Sequence, residues 1–248
     1  MHKNNKKLFI MLLIQRNTKK IMNIDKEMNV EKNNKEKTVI YIVRHGQSVG
    51  NLFGRCLGHT DLDITELGYE QAKMTAKALE NVEFAAIYSS DLIRAVHTAE
   101  PHAQKHNLKI FTSENLRELY FGTWENAETA MLREKCYDEF EIGWRQNFGT
   151  FTAPEGESVV NMAERMHSEL CKIAAKHSGK NILVVSHAAA IRALWGKISG
   201  LEPDKWADAY FFPTNASYSV LEAENGVIRP ISYSNDSHLG EFVTFIKR

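Results

Sequence analysis

Two apolar runs of strand length, Val39-Ile40-Tyr41-Ile42-Val43 and Ile182-Leu183-Val184-Val185, contain no polar alternation, and each ends two residues before a histidine. A strand that is apolar on both faces has to be covered on both, which requires a mostly parallel sheet between layers of helix. Shorter apolar runs and longer amphipathic stretches alternate through the rest of the chain, so the sequence reads as an α/β domain.

The pattern predicts a helix opened by the N-cap Thr65 and running to Leu79, then a short strand over Phe84 to Tyr88. Ser89-Ser90-Asp91 is expected to cap a following helix that carries Arg94 and Thr98, with Pro101 as a kink or restart, and Lys109 to Thr112 reads as an edge strand. The stretch from Ser113 to Thr152 has no sustained period and reads as an excursion with one helix around Ala127 to Phe140. Ser158 can cap a helix to Lys176, and two strands around Glu224-Asn225-Gly226 read as a terminal hairpin.

Charge narrows the function classes. Lys+Arg and Asp+Glu are 31 each, so no net field favours nucleic acid or a membrane surface, and an anion site has to be local. Cys56, Cys136 and Cys171 are odd in number with no Cys-x-x-Cys, which argues against a disulfide framework or structural zinc and for a reducing, cytoplasmic compartment. Residues 1–37 are rich in Lys and Asn, and their one apolar run, Leu8 to Ile14, is too short to span a bilayer. That run is followed by Gln15-Arg16-Asn17 and not by a small-residue cleavage site, so the segment is expected to be a flexible basic extension, with Met22 and Met28 as other starts.

Arg44-His45-Gly46-Gln47 follows the first buried run and Ser186-His187-Ala188 the second. Ligands of open α/β sheets bind at the carboxyl ends of strands, so both imidazoles can converge on one crevice, with Arg94 reaching the same edge from its helix. Two arginines and two histidines suit a phosphoryl group, since guanidinium offers forked donors and an imidazole can attack phosphorus. Glu118, within Leu116-Arg117-Glu118-Leu119-Tyr120-Phe121, is a carboxyl group among large apolar neighbours, a setting that favours the protonated acid.

The ordered blocks resemble the histidine phosphatase superfamily, which also contains the cofactor-dependent phosphoglycerate mutases. They comprise Arg44-His45-Gly46-Gln47-Ser48, Asn51, Gly54-Arg55, Gly58, Thr65, Gly68, Gln71-Ala72, and Ser89-Ser90-Asp91-Leu92-Ile93-Arg94-Ala95 with Thr98. Glu118 with Gly122 and Trp124-Glu125, then Gly156-Glu157-Ser158, then Ser186 through Arg192 complete the set. The resemblance implies a three-layer α/β/α sandwich of the phosphoglycerate mutase type over residues 38–248. It implies a covalent phosphohistidine at His45, phosphoryl oxygens held by Arg44, Arg94, His187 and Asn51, with Gly46, Gln47 and Ala188 beside them, and Glu118 as general acid and then base. No metal or organic cofactor is expected, and the partner is a small phosphorylated metabolite; oligomeric state stays open.

Ala188 and Asn126 stand where the family usually has Gly, and the Ala188 methyl could crowd the approach to phosphate. The segment after Glu118, with Phe121-Gly122-Thr123-Trp124-Glu125 and no Arg-Arg insertion before Pro154, resembles the phosphatase branch more than the mutases. A mutase and a non-catalytic phospholigand-binding protein on the same fold are the alternatives. Glu114 and Glu125 default to surface ion pairs, Arg55 and Arg192 can extend an anion site, though Arg192 is expected to pack on its helix, and Trp144, Phe148 and Phe151 are candidates for the substrate mouth. The remaining histidines are expected at the surface.

Overall fold

A computed structural model of the chain describes residues 37–244, so the expected extension, Lys37 apart, lies outside the described residues. Strands β1 (Thr38–Arg44), β2 (Phe84–Ser89), β3 (Ile110–Thr112), β4 (Asn181–Ser186), β5 (Tyr218–Glu224) and β6 (Val227–Asn235) form one sheet in the order β3-β2-β4-β1-β5-β6. The first four are mutually parallel, and the terminal hairpin adds β5 and β6 antiparallel at one edge. The two apolar runs are neighbours in the middle, paired from Val39 with Asn181 to Arg44 with Ser186.

Helices α1 (Glu66–Ala78), α2 (Ile93–His106), α3 (Thr129–Lys135), α4 (Val159–Lys176) and α5 (Ala188–Ile198) accompany the sheet. Successive residues of a strand point to opposite faces, and the buried residues divide accordingly. Ile40, Ile42, Ile182 and Val184 pack with residues of α4 and α5, including Leu170 and Ile191. Val43, Leu183 and Val185 pack with Ala95 and Ala99 of α2 and with Leu79. The double burial of β1 and β4 is the physical reason their sequences lack alternation.

Thr65 caps α1 as expected, its hydroxyl accepting the Gly68 N–H at 3.1 Å. The start of α2 differs: no side chain of Ser89-Ser90-Asp91 caps it, and Asp61, from a distant loop, accepts the Ile93 N–H at 2.7 Å. Asp91 instead pairs with Arg117. The helix runs unbroken through Pro101 to a left-handed Asn107, φ 52°. Within the excursion α3 falls inside the expected Ala127 to Phe140 helix but ends at Lys135, and a π-helical segment, Asp138–Gln146, follows it. No described helix is long and apolar enough to cross a membrane.

Candidate active site

Because β1 and β4 are adjacent and parallel, their following residues emerge side by side. His45 and His187 are both buried, with ring centroids 5.2 Å apart. Nδ1 of His45 lies 2.7 Å from the Gly46 carbonyl oxygen, which can only accept, so Nδ1 carries the hydrogen and Nε2 keeps its lone pair. Neither ring nitrogen of His187 has a partner among the described residues, an unusual state for a fully buried imidazole. Burial, then the charges of Arg94 and Arg44, hold His45 well below the ordinary histidine range; burial and then Arg94 do the same to His187. Both imidazoles are neutral near pH 7.

Arg44 and Arg94 are fully buried without a carboxylate at ion-pair distance among the described residues, and burial pulls each guanidinium down to about 10. Carbonyls hold them: Arg44 Nη1 donates to Pro213 O at 2.6 Å, and Arg94 donates to Gly58 O at 2.6 Å and Thr60 O at 2.9 Å. Asn51 Oδ1 accepts from Ser48 N–H and Asn215 Nδ2, so its own Nδ2 is the group left to donate. The loop that grips Arg94 is itself held by Glu125. Its carboxylate accepts the N–H groups of His59 (3.0 Å), Thr60 (2.7 Å) and Phe121 (2.9 Å) and the Thr60 hydroxyl (2.7 Å). Glu125 is a loop clasp, not the surface ion pair expected of it.

Glu118 meets the N-terminus of α5 and not an apolar wall. Its oxygens accept Ala189 N–H at 3.1 Å and Ala190 N–H at 3.0 Å, which supplies the cap that His187 does not give its helix. The Ala188 N–H has no acceptor among the described residues. Ala188 occupies the first helical position, where any residue fits the backbone, so the conformational reason for glycine does not apply. Asn126 adopts φ 59°, a left-handed conformation that asparagine tolerates better than other non-glycine residues.

A cavity of about 1130 Å³ opens over this group and is lined by Arg44, His45, Asn51, Arg94, Glu118 and Ala188, with Gln47 at its edge. His187 stands behind His45, outside the lining. Gly46 is also outside it: its N–H donates to Thr98 Oγ1 at 3.0 Å, and a Cβ there would meet the Gly68 carbonyl oxygen at 2.4 Å. The Gln47 N–H is taken by Gln71 and its amide oxygen by Thr65. Gly46 and Gln47 therefore brace the loop rather than present free backbone donors. Of the expected mouth aromatics, Trp144 lines the cavity while Phe148 and Phe151 belong to the core. Arg55 and Arg192 both line it. His102 is fully buried, against the surface position expected.

Sequence reasoning missed Asn215, which donates to Asn51 and to the His45 carbonyl oxygen, and Arg165, which donates to the Glu118 carbonyl oxygen at 2.7 Å. Neither lies in a motif, and nothing short of the fold places them here.

The sequence pattern of the histidine phosphatase superfamily, branch 1, matches residues 40–236. Phosphoserine phosphatase 1 of Hydrogenobacter thermophilus is 31% identical over 204 residues, covering 82% of this chain and 95% of its own length. The Proteus mirabilis protein named Probable phosphoglycerate mutase GpmB is 33% identical over 190 residues, covering 75% of this chain and 85% of its own. Among solved structures, Bacillus stearothermophilus YhfR superposes with a TM-score of 0.76 at 27% identity, covering 82% of this chain and 99% of its own. With the matched pattern spanning the sheet from its first strand to its last, the chain belongs to the histidine phosphatase superfamily.

Proposed function

We propose that this protein hydrolyses a small phosphomonoester through a phosphohistidine formed on His45. The observation that carries the proposal is the 2.7 Å contact of His45 Nδ1 with the Gly46 carbonyl, which leaves Nε2 unprotonated at the cavity floor among Arg44, Arg94 and His187. The two guanidiniums, the Asn51 amide and the Ala188 N–H supply donors for the phosphoryl oxygens, fixed in place before substrate arrives.

In the first step Nε2 attacks phosphorus, a P–N bond forms, the ester P–O bond breaks, and Glu118 gives its proton to the departing alkoxide. In the second, Glu118 takes a proton from water, the hydroxide attacks phosphorus, the P–N bond breaks, and inorganic phosphate leaves with His45 restored. Similarity to a phosphoserine phosphatase over nearly that protein's whole length supports hydrolysis. Similarity to a protein named as a phosphoglycerate mutase favours a second reading, in which the phosphoryl group is returned to a phosphoglycerate and turnover needs a bisphosphorylated primer.

Labelling with 32P-substrate tests the proposal. An acid-labile, base-stable phosphoprotein is expected in the wild type and none in His45→Ala, with phosphate released without a primer. Label persisting in His45→Ala would move the nucleophile elsewhere. Primer-dependent isomerisation without phosphate release would make the protein a mutase, and absence of both label and turnover a phospholigand binder.

A further inference from the structure

Each outer arginine of the cavity but one is paired with an acid. Arg55 pairs with Glu128 at 3.0 Å, and Arg133 and Arg145 share Glu141 at 2.6 and 3.2 Å. Arg192 is only 4% exposed yet has no carboxylate within ion-pair distance among the described residues; Asp208 lines the same cavity but lies farther off. Its guanidinium packs against Phe148 and Phe212, 4.4 Å from each ring centroid, the two rings meeting edge to face at 5.4 Å, and is oriented by two carbonyls, Tyr210 O at 2.6 Å and Ala207 O at 2.7 Å. Those bonds use Nε and Nη2, and Nη1 has no protein acceptor among the described residues.

A buried cation kept without a counter-charge is costly, and a rigid one with free donors facing a cavity is built for an anion. Its place is defined by the helix that also frames the phosphoryl site. Ala188 and Arg192 are four residues apart on α5 and so share a face, roughly 6 Å apart along the axis. Long side chains on a helix lean toward its N-terminus, which here is the phosphoryl end.

We propose that Arg192 receives a second anionic group, a carboxylate or a second phosphate, carried by the leaving alcohol. The protein then selects phosphomonoesters of acidic alcohols. The flanking rings exclude water and strengthen the charge interaction. This inference rests on the hydrolase reading above.

Matched substrate pairs test it: O-phosphoserine and 3-phosphoglycerate against their carboxyl methyl esters, and fructose 1,6-bisphosphate against fructose 6-phosphate, with p-nitrophenyl phosphate as reference. In the wild type the acidic member of at least one pair should exceed its neutral partner by about tenfold or more in kcat/KM. The carboxylate and bisphosphate arms identify which anion is taken. Arg192→Gln, whose amide nitrogen falls where Nε now donates to Tyr210, should bring that ratio close to one, and Arg192→Lys should retain part of it. Neutral members hydrolysed as well as acidic ones in every pair, or a ratio that survives in Arg192→Gln, would overturn the proposal. Turnover of p-nitrophenyl phosphate without acid preference removes this inference alone. No turnover of any substrate removes the hydrolase reading and this inference with it.

Discussion

Arg165 and Glu157 meet in a two-pronged pair, Nε to Oε1 at 2.8 Å and Nη2 to Oε2 at 2.9 Å, and the same guanidinium reaches three backbone carbonyls, those of Asn115, Arg117 and Glu118. The segment that presents Glu118 to the cavity is thus tied to α4 by one side chain. Removing it as Arg165→Met leaves a largely buried carboxylate unpaired and is expected to cost about 3–5 kcal/mol in urea unfolding. Arg165→Lys restores charge but not the fork, so it should recover little of that loss. In folded protein at low temperature, either variant should lose more turnover on alkyl phosphates than on p-nitrophenyl phosphate. A uniform loss on both would show that the pair is structural only.

Glu118→Gln removes the proton that a poor leaving group needs. Turnover of an alkyl phosphate should fall by about 10²–10⁴-fold, with a much smaller effect on p-nitrophenyl phosphate, whose leaving group needs little protonation. Steady-state kinetics on the two substrates check this, and equal losses would assign the proton to another group.

Ala188 lines the cavity at the first position of α5, where its backbone conformation suits any residue. Ala188→Gly is expected to change KM by less than about threefold, while Ala188→Val, adding two carbons at the floor, should raise it by about tenfold or more. A large gain in Ala188→Gly would mean that the methyl already obstructs phosphate.

His102 gives a pH signature. It is buried on α2 near His106 and His238, neither ring nitrogen has a partner among the described residues, and burial pulls it down to about 3. Because the folded value lies below the unfolded one near 6.5, the unfolded chain binds a proton that the folded chain refuses. Stability from this group is full above about pH 7 and falls as pH drops through the window from 6.5 toward 3, by about 1.4 kcal/mol per unit. His102→Leu should flatten that dependence, giving about 2 kcal/mol less loss between pH 6.5 and 5 in chemical unfolding. An unchanged slope would place the proton uptake on His45, His187 or His238, which are held down as well.

The sheet was readable because burial on both faces writes a continuous apolar run, and β1 and β4 are doubly buried. His45, Arg44, Arg94 and His187 were readable because each stands at a strand end or one turn into the next helix. The π-helical segment was not, since apolar spacing such as Phe140 to Trp144 does not tell an i→i+5 ladder from an i→i+4 one. Asp61 at the start of α2 was not, because a cap borrowed from another loop leaves no local pattern. Glu118 was located from its neighbours but its surroundings were misjudged: sequence proximity to Leu116, Leu119 and Phe121 says nothing of the α5 N-terminus that folding brings to its carboxyl group.

The middle position of β1 carries a consequence for how the molecule comes into being. Its partners on both sides arrive late: Val39 pairs with Asn181 and with Glu222, the first about 140 residues away, and the carbonyl of Arg44 waits for the Ala216 N–H. Such pairings close slowly, because the entropy of the intervening chain is lost before any contact is gained. A nascent chain therefore holds His45 on an unpaired segment, before folding has brought Arg94, Glu118 and His187 to it. The assembled cleft is thus a late acquisition of the chain during synthesis, because both neighbours of β1 are C-terminal to it.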